Sequence, residues 1–136
     1  MREEKEKWRR EFALKYAEAQ ATDSARAERI AVQFGVGVLK YRTEGVTETQ
    51  KIFLPPNSRL VAGRGANNAI TLNDAKASRH HCAFYTDDTG AYIEDLGSLD
   101  GTLLNDNVVN GRQRIKTGDA IRVGDTEFLF YKLEGR

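Results

Sequence analysis

Two arginines, two serines and several glycines sit where an otherwise β-like sequence turns. Gly63-Arg64 closes one apolar run, and Ser78-Arg79-His80-His81 opens another. Gly97-Ser98-Leu99-Asp100-Gly101-Thr102 follows about twenty residues later, at the turn after the next run. These are the groups that hold an anion, phosphate above all: guanidinium forks, hydroxyl donors and exposed backbone N–H groups. Binding chemistry tends to sit on loops carried by a rigid scaffold. Plainer roles exist for each residue: a structural salt bridge for Arg64, a turn-stabilising hydroxyl for Ser78, a solvated loop edge for Arg79. Asp100-Gly101 is also a good turn pair.

Other chemistry is less well served. His80-His81-Cys82 contains the residue types of a metal site, but neighbours on a strand point to opposite faces, so adjacent histidines do not readily share one ion. No spaced Cys or His completes a set. Cys82 and Phe84 alternate with Ala83 and are expected to face a core, where a free cysteine behaves as a small hydrophobe. No nucleophile can be matched to a base and an orienting group, and Gly63-x-Gly65 lacks the strand–helix context of a nucleotide loop. The expectation is a protein that is not an enzyme and holds no metal or cofactor.

The loops need a scaffold, and the sequence from about residue 36 supplies one. Short runs rich in Val, Ile, Leu, Phe and Tyr alternate with Gly, Asn and Asp clusters. Strands are expected near Val36–Arg42, Gln50–Leu54, Arg59–Gly63, Ile70–Leu72, His81–Asp87, Ala91–Leu96, Thr102–Leu104, Arg112–Ile115, Ala120–Val123 and Glu127–Leu133. Asn110-Gly111 suits a tight hairpin turn. Ten short strands with frequent turns predict an all-β domain folded as a two-sheet sandwich over residues 30–136.

Residues 1–29 differ in composition: they are rich in Glu, Lys, Arg and Ala and contain neither Gly nor Pro. Trp8, Phe12, Tyr16 and Ala19 recur at helical spacing as one narrow stripe. This block reads as an amphipathic α-helical extension. It would dock on the domain, on its own copy, or on a separate partner.

The chain has 136 residues and a net charge of +1, from 21 basic and 20 acidic side chains. Residues 1–29 carry eight basic and seven acidic groups, so neither part has the basic excess of a nucleic-acid binder or a polybasic membrane patch. Anion binding must therefore be local. Cys82 is the only cysteine, which excludes an internal disulfide and suggests a reducing compartment. No apolar stretch approaches the roughly 20 residues of a membrane-spanning helix. A cytoplasmic protein is expected.

The ordered set of motifs resembles the forkhead-associated (FHA) domain family. It comprises Gly63-Arg64 after a strand, Asn68 and Ile70, Ser78-Arg79-x-His81, Asp95-Leu96-Gly97-Ser98, Gly101-Thr102 with Asn105, then Gly118-Asp119-x-Ile121 and Gly124. The resemblance covers residues 36–133. It implies a sandwich of about eleven strands whose loops at one end bind phosphothreonine peptides without catalysis. It implies that Arg64 and Ser78 contact the phosphate, often joined by Arg79, with Ser98, Leu99 and Asp100 completing the peptide surface. Gly63, His81, Gly101 and Thr102 would support the loops, His81 by hydrogen bonding.

At one position the chain departs from the family, which usually has Asn where this sequence has Asp100. An amide donates and accepts, whereas a carboxylate only accepts and adds negative charge near the phosphate. Lys76, two residues before Ser78, lies on the loop expected to read the peptide beyond the phosphothreonine, favouring an acidic or small aliphatic residue there. The function expected is phosphothreonine-dependent protein binding downstream of a Ser/Thr protein kinase. The alternative is a phosphate-independent scaffold or oligomerisation module that makes its contacts through the sandwich faces and the N-terminal helix, with self-association through residues 1–29.

Overall fold

The computed structural model describes residues 37–132, with Arg26 and Arg29 upstream. The expected helical extension over residues 1–29, and any self-association through it, otherwise lies outside the described residues.

Eleven strands occur among the described residues: β1 (Gly37–Thr43), β2 (Gln50–Leu54), β3 (Arg59–Gly63), β4 (Ile70–Thr71), β5 (Cys82–Asp87), β6 (Gly90–Asp95), β7 (Thr102–Leu104), β8 (Asn107–Val108), β9 (Arg112–Ile115), β10 (Ala120–Val123) and β11 (Thr126–Lys132). They form two sheets, ordered β2-β1-β11-β10-β7-β8 and β4-β3-β5-β6-β9. All pairings are antiparallel except β3 with β4.

Alternation along β6, β10 and β11 shows how the sheets stack. On β11 Phe128 and Phe130 are buried while Glu127 and Leu129 face out, and on β10 Ile121 and Val123 are buried. Inward side chains from both sheets meet in one core that includes Leu39, Leu54, Ile70, Phe84, Ile93 and Phe128. Phe84 of one sheet and Phe128 of the other lie with ring centroids 5.2 Å apart, a tilted contact that ties the layers together. Cys82 and Phe84 belong to this core as alternation predicts; Ala83 is buried outside the cluster.

Ten strands match the expected runs to within one residue at either end. The additional one, β8, has only two residues, both exposed, and so leaves no alternating signature. The expected tight hairpin at Asn110-Gly111 is not found. The two-residue turn lies instead at Asn105-Asp106, between β7 and β8, where φ is +49° and +69° and Leu104 pairs with Asn107. Two left-handed residues in succession are what a type I′ turn needs, and Asn and Asp tolerate that region. Asn110-Gly111 instead carries the chain from one sheet to the other, because β8 and β9 belong to different layers.

Candidate functional site

Strand register gathers the suspect loops at one end of the sandwich. Ala62 near the end of β3 pairs with Cys82 at the start of β5, which pairs with Asp95 at the end of β6. Beyond this row emerge the β3–β4, β4–β5 and β6–β7 loops, carrying Arg64, Ser78 and Arg79, and Ser98 to Gly101. A cavity lined by Pro56, Asp88, Gly90 and Lys116 lies at the other end of the same strands.

The first two loops are laced backbone to backbone. Arg64 N–H donates to the Ser78 carbonyl at 3.1 Å, and Gly65 N–H to that of Arg79 at 3.1 Å. This approach requires glycine at 63: a Cβ there would overlap the Arg79 carbonyl oxygen and lie 2.7 Å from that of Ser78. The Arg64 side chain is exposed and folds over the second loop, its Nε donating to the Ala77 carbonyl at 2.9 Å. Its two terminal nitrogens meet no partner among the described residues. Asn68 Nδ2 donates to the Arg79 carbonyl at 2.6 Å, so its oxygen faces His80 and accepts from His80 Nδ1 at 2.8 Å. The Arg79 side chain is exposed beside this lock.

His81 joins the second loop to the third. It is fully buried, accepting the Ser78 N–H on Nδ1 at 3.0 Å and donating Nε2–H to the Gly101 carbonyl at 2.8 Å. These partners assign the tautomer, since an N–H can only donate and a carbonyl only accept. His80 and His81 turn to opposite sides, one to Asn68 and the other into the loops. No group of three or more potential ligands is placed to hold a metal among the described residues.

Ser78 Oγ accepts the Leu99 N–H at 3.0 Å. That bond uses a lone pair and leaves the hydroxyl proton free to donate outward. Arg64 and Ser78 thus offer, side by side, two guanidinium nitrogens and an O–H.

The third loop is built on Asp95. One oxygen accepts the Gly97 and Ser98 N–H groups at 3.0 and 3.1 Å; the other accepts the Ser98 and Thr102 hydroxyls at 2.5 and 2.7 Å. Partial burial by itself would raise the Asp95 pKa, but the four bonds together outweigh it and hold the carboxyl below its ordinary range. The Ser98 hydroxyl proton is directed to Asp95 rather than to solvent. Leu99 is 90% exposed, and Asp100 beside it is exposed as well.

Asp74 anchors the second loop from below. It is buried, accepts the Lys76 N–H at 3.0 Å, and reaches across to the Asp125 N–H and the Thr126 hydroxyl, both at 2.8 Å. Lys76 Nζ lies 3.2 Å from Asp125 Oδ1, an exposed ion pair worth at most about 1 kcal/mol. Asp74 was not among the residues singled out from the sequence, and Asn68 and Asp95 were named only as motif positions with no role in the site. The signal available was Asx-turn spacing in Asp74-x-Lys76 and Asp95-x-Gly97-Ser98.

Residues 60–124 match the model of the FHA domain family. The chain is 35% identical over 78 residues to the oxoglutarate dehydrogenase inhibitor of Corynebacterium efficiens, a match covering 57% of this chain and 54% of that protein. Its structure resembles the FHA domain of an Arabidopsis thaliana protein, with a TM-score of 0.66 and 29% identity over 75% of this chain and 89% of that one. It also resembles an FHA domain solved in a study of phosphothreonine-dependent FHA interactions, with a TM-score of 0.60 and 27% identity over 71% and 95% of the two chains. The β-sandwich described above belongs to the FHA domain family. The chain spans about half the length of the curated relatives it matches.

Proposed function

We propose that this domain binds phosphothreonine-containing segments of partner proteins, and so acts downstream of a Ser/Thr protein kinase. Arg64 and Ser78 take the phosphate, with Arg79 beside them, and residues 1–29 form a separate extension. FHA domains are binding modules, not enzymes. One observation carries the reading. The terminal nitrogens of Arg64 and the hydroxyl proton of Ser78 are unpartnered among the described residues, on loops locked together by the 3.1 Å bond from Arg64 N–H to the Ser78 carbonyl. A phosphothreonine carries about −1.5 to −2 charge and three strong acceptor oxygens at pH 7, which matches that donor set.

Titration of a phosphothreonine peptide library and its unphosphorylated counterparts tests the reading. Binding near micromolar, worth about −8 kcal/mol, is expected for the phosphorylated members only. Arg64→Ala should weaken it at least about tenfold, as loss of charged hydrogen bonds implies, while the protein stays folded with a stability loss of about 1 kcal/mol from the Arg64 Nε–Ala77 bond. Equal affinity for both peptide forms, or full binding by the variant, would sink the proposal.

A further inference from the structure

Asp100 is held between two fixed points. The N–H of Leu99, on one side, bonds the Ser78 hydroxyl at 3.0 Å, and the carbonyl of Gly101, on the other, accepts the buried His81 imidazole at 2.8 Å. The backbone at residue 100 is therefore tethered at both neighbours to the segment that carries Ser78. Its side chain is exposed and forms no hydrogen bond or ion pair with any described residue. The loop's other carboxylate, Asp95, has both oxygens occupied by the loop itself. Among the described residues Asp100 is thus an unpaired acceptor-only charge beside Ser78, on a loop too well braced to carry it away.

We infer that Asp100 makes this domain select phosphopeptides with a lysine or arginine within about two residues of the phosphothreonine. The inference rests on the phosphothreonine reading above. A bound phosphate brings its own negative charge close to Asp100, and like charges at such separations repel appreciably even at a surface. A peptide cation close to the phosphorylated residue relieves that repulsion and gives Asp100 the donor it needs. Neither Arg64 nor Arg79 forms an ion pair with Asp100 among the described residues, which leaves the ligand to supply the cation that answers it. The adjoining Leu99 side chain offers the aliphatic stem of a lysine or arginine an apolar surface to lie along.

The test is a phosphothreonine peptide with lysine scanned from three residues before to three residues after the phosphorylated residue, against alanine and glutamate at each place. Every peptide is also measured unphosphorylated, and all are titrated against wild type and Asp100→Asn. On wild type, lysine at one or two of the inner places should bind about two- to fivefold tighter than alanine, with glutamate weaker still. That preference should shrink at high salt. Asp100→Asn should erase the preference while remaining phosphorylation-dependent. Equal affinities across the wild-type scan, or a lysine preference that survives in Asp100→Asn, would overturn the inference and leave the phosphothreonine reading standing. Loss of phosphorylation dependence in wild type would overturn both.

Discussion

Asp74 accepts the Thr126 hydroxyl at 2.8 Å across 52 residues of sequence, and the bond is buried. The same carboxylate oxygen takes the Asp125 N–H, so one side chain ties the loop carrying Ser78 to the β10–β11 turn of the other sheet. The binding end is thus fastened to both layers of the sandwich.

Removing that carboxylate should be costly. Asp74→Ala strands three buried or half-buried donors, and a loss of about 2–4 kcal/mol is expected in urea unfolding. Thr126→Val removes one of the three donors to Asp74 and also the 2.7 Å bond between the Thr126 and Thr43 hydroxyls, and should cost about 1–2 kcal/mol. If Asp74 only fills space, the two variants will cost about the same. Phosphopeptide affinity should fall with Asp74→Ala even under conditions where the protein remains folded, since the Ser78 loop loses its anchor.

Two glycines of the site should respond differently to alanine, for different reasons. At Gly63 a methyl group collides with the main-chain oxygens of Ser78 and Arg79, which have no rotamer to move into. Gly63→Ala is expected to cost about 3 kcal/mol or more and to part the first two loops. At Gly101 nothing lies within 4 Å of an added Cβ, but φ is +84°, so the cost is backbone strain of about 1–2 kcal/mol. Melting temperatures of the two variants separate the mechanisms.

Asp95 sets an acid limit on the third loop. Its pKa in the folded protein lies below the ordinary carboxylate value, despite partial burial, because four hydrogen bonds favour the charged form. Between the folded and the unfolded pKa the unfolded chain binds more protons, so stability rises with pH there. The contribution is fully present above the ordinary value of about 4 and is lost as pH falls through the lower, folded value. Stability measured from pH 6 to pH 2 should therefore drop less steeply for Asp95→Asn than for wild type, from a lower starting level. Parallel curves would refute the assignment.

Cys82 should be inert while the protein is folded. Its thiol is fully buried, and burial, with the nearby Asp95 charge, pushes its pKa well above the ordinary range. Iodoacetamide at pH 8 should label it only after denaturant is added. Rapid labelling of native protein would show that the loop end of the core opens readily.

Local pattern carried most of the architecture. Alternation in runs such as Ala120–Val123 and Thr126–Lys132, broken by Gly, Asn and Asp, was enough to place ten strands, because strand formation here follows from burying one face of each run. The tight hairpin expected at Asn110-Gly111 lies at Asn105-Asp106 instead; both pairs suit left-handed turns, and only the pairing of β7 with β8 distinguishes them. Arg64 and Ser78 stood out as candidate anion ligands by residue type, although each also had a plainer role, and it was the family resemblance that gave His81 its bracing role. Their partners did not stand out, because nothing local in Asp74 announces Thr126 and nothing in His81 announces Gly101.

The sequence by itself determined which segments would be strands, which would be loops, and which side chains could meet an anion. It also placed a carboxylate at Asp100, where the resemblance leads one to expect an amide. Tertiary structure alone decided that three loops distant in sequence share one end, through the Ala62–Cys82–Asp95 register. It decided too that the Ser78 hydroxyl proton is left to donate outward, since Leu99 donates to its oxygen, and that Asp100 is pinned next to it. Those outcomes depend on contacts between residues 13 to 21 positions apart. Such contacts arise only when the two sheets close on their core, so no local window of the chain contains them.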